Sequence, residues 1–397
     1  MEGRMVQRRP LLIRNATLVL KDAYLSDGAL LARDGVIQAV GTMDSIGVPE
    51  DAEVWDAGGR YLGPGLIDIH IHAGGGRFFY QDPAFAAAHV LRHGVTSVLP
   101  TLYYDLTLEG YLAAIDRINA AMDDGSAPNI RGYYMEGPYT NPRYGACARD
   151  NRWAAKIRRS EYMPLLEKVG TRARVWVIAP EREGIDGFVD DAKKASPEAI
   201  FSVGHSEADA ETVERMMQRG LRLATHHTNA VGNPPKYGGC HRPGIEDAVY
   251  ANDEIYAELI VDSMGIHVAP YMLRLIAQRL KRRDRIILIS DATAFSGSGS
   301  LEGMGADLSF DDQGALAGSR LTLDTACGNM IRHTACSVAD AFRYASENPA
   351  RLLGWSDRGE IAIGKAADLV CVDDRFRVQG VFLGGKEVQI DRRHEEE

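Results

Sequence analysis

The chain has no apolar run approaching the roughly 20 residues of a membrane-spanning helix, and Met1–Met5 leads into no signal-peptide core. Cysteine is scarce: Cys147, Cys240, Cys327, Cys336 and Cys371 are odd in number and include no Cys-x-x-Cys pair. A disulfide framework and a thiolate zinc site are therefore poor explanations of the fold, and the thiols read as reduced and mostly buried. There is no basic run, and the formal net charge of -10 argues against a nucleic-acid partner. A small phosphorylated ligand stays compatible with that charge, held by a local cation or a helix N-terminus. Low-complexity segments and long linkers are missing too. The expectation is a cytoplasmic enzyme or binding protein with no membrane and no nucleic-acid partner. Its 397 residues, 45% of them hydrophobic, suffice for one large core and a smaller satellite.

What is present is a repeated unit: a short β-rich apolar run, a loop, then a helix-like segment. Eight such runs centre on 62–72, 95–99, 130–136, 174–181, 199–206, 221–229, 257–262 and 285–291. Helical patterns such as 208–219 and 268–281 lie between them. Strands alternating with helices in this number predict an α/β fold of the (β/α)8, TIM-like barrel type over residues 63–358. The ends break the pattern. Runs at 11–20, 28–32, 36–40 and 52–56, and again at 367–372 and 378–383, read as short strands joined by turns such as Asp27-Gly28, Asp34-Gly35 and Gly384-Gly385. Neither end carries enough apolar surface to fold alone, so residues 1–62 and 359–390 are expected to meet in one small β-sandwich, with a frayed acidic tail at 393–397.

Chemistry concentrates at the ends of the barrel runs. In Asp68-Ile69-His70-Ile71-His72, period-two alternation puts Asp68 and both histidines on one face of a strand. By itself His-x-His fits two satisfied histidines as well as a metal pair. However, the third run ends at Glu136, the fifth at His205, the sixth at His226 and the eighth at Asp291, at equivalent positions where barrel enzymes place their reacting groups. A His and carboxylate set without thiolate suits Zn²⁺, Fe²⁺, Mn²⁺ or Co²⁺, and an incomplete protein shell leaves room for water. Three other histidines read as structural: His93 at a helix end, His227 on the far side of the strand from His226, and His333 in a helix.

The segments Pro64-Gly65-Leu66-Ile67-Asp68-Ile69-His70-Ile71-His72, Met135-Glu136-Gly137-Pro138, Gly204-His205-Ser206, Thr225-His226 with Asn229-Ala230, Ser290-Asp291-Ala292-Thr293, and 316–322 resemble the N-acetylglucosamine-6-phosphate deacetylases of the amidohydrolase superfamily. The closing segment 359–370 is a general amidohydrolase feature. The resemblance spans nearly the whole chain. It implies hydrolysis of the N-acetyl amide of an amino sugar, with one metal held by Glu136, His205 and His226 and a second position at His70 and His72, Glu136 bridging; a single metal with water in the second position is the alternative, so one or two ions per subunit are expected. Zinc ranks first among the metals. Asp291 would take a proton from the attacking water and return it to the departing amine. His267 aligns with the residue that polarises the acetyl carbonyl, and Asn229 and Ala230 would help cradle substrate. A homodimer is also implied.

One region departs from the family pattern. Where members carry Arg-Glu-Pro-Gly, the arginine touching the sugar phosphate and sometimes crossing a dimer interface, this chain reads His241-Arg242-Pro243-Gly244 after a longer 231–240 loop. A histidine lacks the bidentate fork of a guanidinium, so His241 and Arg242 are the candidate phosphate contacts and an unphosphorylated N-acetyl amino sugar is the alternative substrate. The loop 295–300 is also unusually polar. Two other readings compete. A cyclic-amide hydrolase of the dihydroorotase or hydantoinase type would bridge its metals with a carboxylated lysine, and no lysine stands in 130–136. An inactive scaffold would be expected to have lost ligands, and all six positions are filled. Metal content together with acetate release separates the three.

Overall fold

The computed structural model describes residues 9–146, 151–234, 238–297 and 305–390. Cys147, Pro235–Tyr237, Ser298–Ser300 and the acidic tail fall outside that set. Eight parallel strands run Leu66–Ile71, Val95–Tyr103, Tyr133–Glu136, Ala173–Ile178, Ile200–Val203, Leu221–Ala224, Tyr256–Ile260 and Ile286–Ile289, each paired with the next in chain order. The ring closes through main-chain bonds just past the strand ends. Asp291 N donates to His70 O over 2.9 Å, while His72 N and Ala73 N donate to Ala292 O over 2.9 and 2.8 Å.

Helices cover the outside because their starts are capped and one face is apolar. Thr107 caps Leu108–Asp123 by accepting from Gly110 N, and Asp209 caps Ala210–Met217 by accepting from Thr212 N. In Leu108–Asp123 the buried residues Tyr111, Ala114, Ile115, Ile118 and Ala121 follow helical spacing. The strand Leu66–Ile71 is buried at every position, as a strand enclosed on both faces must be.

The chain ends share one separate sheet. Leu11–Val19, Tyr24–Arg33, Val36–Thr42, Glu53–Asp56 and Tyr61–Pro64 join Leu369–Val372, Val378–Leu383 and Lys386–Val388. Leu11–Val19 changes partner along its length, pairing Glu53–Asp56 over residues 11–14 and Tyr61–Pro64 over 17–18. That switch lets one sheet turn over its own core, in which Leu11, Ile13, Leu18 and Leu62 meet Leu369, Cys371 and Phe382.

Sequence and structure part at several boundaries. The second barrel strand runs on to Tyr103, because its apolar face continues beyond Pro100. The helix expected over 268–281 begins at Pro270 and widens into a π turn at Ile276–Leu280. Lys386–Val388, beyond the Gly384-Gly385 turn, is an additional strand. The fifth, sixth and eighth barrel strands stop two residues short of the residues singled out at their ends.

Candidate active site

His205, His226 and Asp291 each stand two residues past a strand, after Val203, Ala224 and Ile289, and each adopts a left-handed backbone, with φ of 48°, 27° and 47°. No glycine supplies that conformation, which costs a non-glycine residue of order 1–3 kcal/mol. The turn reverses the side chain into the barrel mouth. Glu136 is the last residue of its strand, and His70 lies inside the first, with His72 just beyond it.

These side chains form two groups joined by one carboxylate. Glu136 Oε1 lies 2.8 Å from His205 Nε2 and 3.2 Å from His226 Nε2, and those two nitrogens are 3.0 Å apart. Glu136 Oε2 lies 3.2 Å from His72 Nε2 and 3.6 Å from His70 Nε2, and Asp291 Oδ1 stands at the same two distances from the same nitrogens. His70, His72 and Glu136 form one triad able to hold a metal ion, and Glu136, His205 and His226 another.

Tautomers test the fit. His70 Nδ1 is 3.0 Å from a Glu258 carboxylate oxygen and His205 Nδ1 is 3.2 Å from the Tyr144 carbonyl, so each Nδ1 donates and each Nε2 turns a lone pair inward. His70 Nε2 is buried without a hydrogen-bond partner. Lone pairs of imidazoles and carboxylates converging on one buried point require positive charge between them. A divalent cation fits both triads.

The field agrees with that demand. Burial opposes a charge on His72, yet hydrogen bonds to Asp291 and Glu136 lift its pKa to about 9. His70 is raised well above the ordinary imidazole value, burial being outweighed by Asp291, Glu136 and Glu258. Conversely, burial alone would raise the Glu136 and Asp291 carboxyls, but the histidines around them hold both below the usual range.

The metal-ligand groups open into a cavity of about 250 Å³. His72, Glu136, His205, His226, Asn229, Ala230, His267 and Asp291 all contribute to its wall, with Phe78, Tyr80, Tyr103 and Phe295 on the apolar side. Gly145 lies so close that a Cβ there would come within 2.1 Å of His205 Nδ1. Asp262 accepts from the His267 main chain over 2.8 Å and lies 3.0 Å from its Nδ1, orienting Nε2, which is 3.1 Å from the Gly318 carbonyl. Those contacts hold the Asp262 carboxyl well below its ordinary pKa against the effect of burial. Asn229 Nδ2 is buried there without a partner.

Two candidates stand elsewhere. His241 and Arg242 are exposed, His241 lying 3.2 Å from Asp247 and Arg242 donating to Asp209 over 3.2 Å, and neither belongs to the cavity wall. Gly244, immediately past Pro243, is the N-cap of the helix Ile245–Ala251. His93 pairs with Asp324, His227 packs edge-on against Tyr250, and His333 meets the Asp262 carbonyl, all outside the metal-ligand groups. Sequence reasoning missed Glu258, Asp262 and Tyr134. The first had a signal: a carboxylate inside the apolar stretch 255–261 is seldom buried without a task.

A parallel eight-stranded barrel whose strand ends gather histidines and carboxylates into two cation-binding triads defines a metal-dependent hydrolase. The chain belongs to the amidohydrolase family, whose model matches residues 61–388, and it is an enzyme of the N-acetylglucosamine-6-phosphate deacetylase type. An N-acetylgalactosamine-6-phosphate deacetylase of Escherichia coli O157:H7 is 30% identical over 389 residues, covering 94% of this chain and 98% of that protein. The N-acetylglucosamine-6-phosphate deacetylase of Bacillus subtilis is also 30% identical, over 93% of this chain and 94% of its own length. A crystal structure of the Pasteurella multocida N-acetylglucosamine-6-phosphate deacetylase superposes with a TM-score of 0.83 at 25% identity, covering 96% of this chain and all of that one.

Proposed function

We propose that this chain hydrolyses the N-acetyl amide of N-acetylglucosamine 6-phosphate, or a close N-acetylhexosamine 6-phosphate, to acetate and the free amino sugar phosphate. The observation that carries the reading is one cavity whose wall carries Asp291, His267 and, from the two triads, His72, Glu136, His205 and His226. The two triads would hold divalent ions, Zn²⁺ first and two per subunit, and such an ion would supply Lewis acidity to the amide and lower the pKa of a nearby water. Asp291 takes a proton from that water as its oxygen bonds to the acetyl carbon. His267, oriented by Asp262, faces the oxygen on which charge builds. When the carbon–nitrogen bond breaks, Asp291 returns the proton to the nitrogen, and acetate and amine leave. Phe78, Tyr80 and Phe295 line the apolar side of the cavity. The test is acetate release from the phosphorylated sugar by metal-loaded protein; no release, with metal verified by elemental analysis, defeats the reading.

A second substrate is favoured by a specific observation. Among the described residues the cavity wall carries no lysine or arginine, and His241 and Arg242 stand outside it. An unphosphorylated N-acetyl amino sugar suits such a wall. The ratio of kcat/KM for the phosphorylated and free sugars decides between them. We also propose a cytoplasmic homodimer. Cys240, Cys327, Cys336 and Cys371 are unpaired, which suits a reducing compartment, and Met264, Ile266 and Tyr271 expose apolar surface next to His267. Light scattering on the purified protein tests the dimer.

A further inference from the structure

Beneath the metal-ligand groups the barrel interior holds a polar layer that the reaction does not use directly. Glu258, from the seventh strand, is fully buried, and its Oε2 serves three donors from three other strands or strand ends. It lies 3.0 Å from His70 Nδ1, and accepts from the Tyr134 hydroxyl over 3.2 Å and from His226 N over 3.0 Å. Tyr134 stacks on the His70 ring with centroids 4.3 Å apart and also meets Thr225, which in turn meets Ser202. One oxygen therefore fixes the ring of a histidine in one triad and the main chain of a histidine in the other.

We infer that Glu258 is the positioning residue that makes the His70–His72–Glu136 triad a metal site and couples it to the Glu136–His205–His226 triad. The inference rests on the two-ion reading above. A carboxylate on Nδ1 locks His70 in the tautomer whose Nε2 is unprotonated and makes that nitrogen a better donor to a cation. Without it, the ring is free to present an N–H towards Glu136 and Asp291, which would close the site with a hydrogen bond. The bond to His226 N acts on the left-handed turn that brings His226 into the mouth. A glutamine in place of Glu258 keeps an acceptor oxygen for that amide but removes the negative charge behind His70, so the two effects can be parted.

The experiment is a Zn²⁺ titration of the metal-free, full-length protein against a chromophoric chelator, comparing wild type, Glu258→Gln and Tyr134→Phe. Wild type should bind two ions. Glu258→Gln should keep the first affinity, which also certifies its fold, and weaken the second by about 10–100-fold. Tyr134→Phe preserves the ring stack and the Glu258–His70 bond, and should keep both. One ion on wild type overturns the two-ion reading and this inference with it. Two wild-type affinities in Glu258→Gln overturn this inference alone. So does an equal loss in Tyr134→Phe, which would mark a general sensitivity of the buried layer rather than the charge on Glu258.

Discussion

The main-chain amide of Asp291 donates to the carbonyl of His70 over 2.9 Å. This bond joins the eighth barrel strand to the first, and it sets the Asp291 carboxylate 3.2 Å from His72 Nε2. The group assigned to proton transfer is thus positioned by the closure of the barrel.

Asp291→Asn preserves size and main-chain bonding but cannot accept a proton. Turnover should fall by about 10²–10⁴ with KM little changed and bound metal retained. Near-normal turnover by the variant would assign the base elsewhere.

Removing the metal should abolish acetate release, and His205→Ala or His226→Ala should do the same, since each takes away a donor facing Glu136. Replacing His70 and His72 together should lower the metal content from about two ions per chain towards one. An acetate-release assay reads the first outcome and elemental analysis of dialysed protein the second.

His267→Asn should lower kcat by about 10²–10³ by weakening the polarisation of the acetyl oxygen. Asp262→Asn should lower it less, because the ring remains but its orienting carboxylate is gone. A larger loss from Asp262→Asn than from His267→Asn would reverse the assignment.

Arg242→Ala tests the far end of the substrate. Arg242 spends its guanidinium on Asp209 at the surface, so KM for the phosphorylated and the free sugar should move together and little. A steep rise for the phosphorylated sugar alone would put Arg242 on the phosphate.

His227 governs part of the acid stability. Its ring is buried with neither nitrogen partnered, and burial, with Lys281 adding to it, lowers its pKa from 6.5 to about 3. The unfolded chain therefore binds the extra proton first, so this contribution is complete above pH 6.5 and is lost as pH falls towards 3. Between neutrality and about pH 4.5 the loss amounts to roughly 2–3 kcal/mol. His227→Leu, followed by urea unfolding at several pH values, should flatten the stability profile by about that much; an unchanged slope would show that His227 takes no part.

Much of this protein was legible as sequence because its chemistry is written at regular intervals. Period-two alternation put His70 and His72 together, and the recurrence of Glu136, His205, His226 and Asp291 after apolar runs marked one end of a barrel, since parallel strands all point their C-termini the same way. Tertiary structure alone decided how those groups divide. That Glu136 gives one oxygen to each histidine pair, that Glu258 reaches His70 across 188 residues, and that His241 and Arg242 turn away from the cavity all depend on contacts between distant segments. Local pattern specifies which face of a strand a side chain takes. Which atoms meet in the barrel mouth is set by strand register, by left-handed turns at non-glycine residues and by ring closure, and none of these has a signature within a few neighbouring residues.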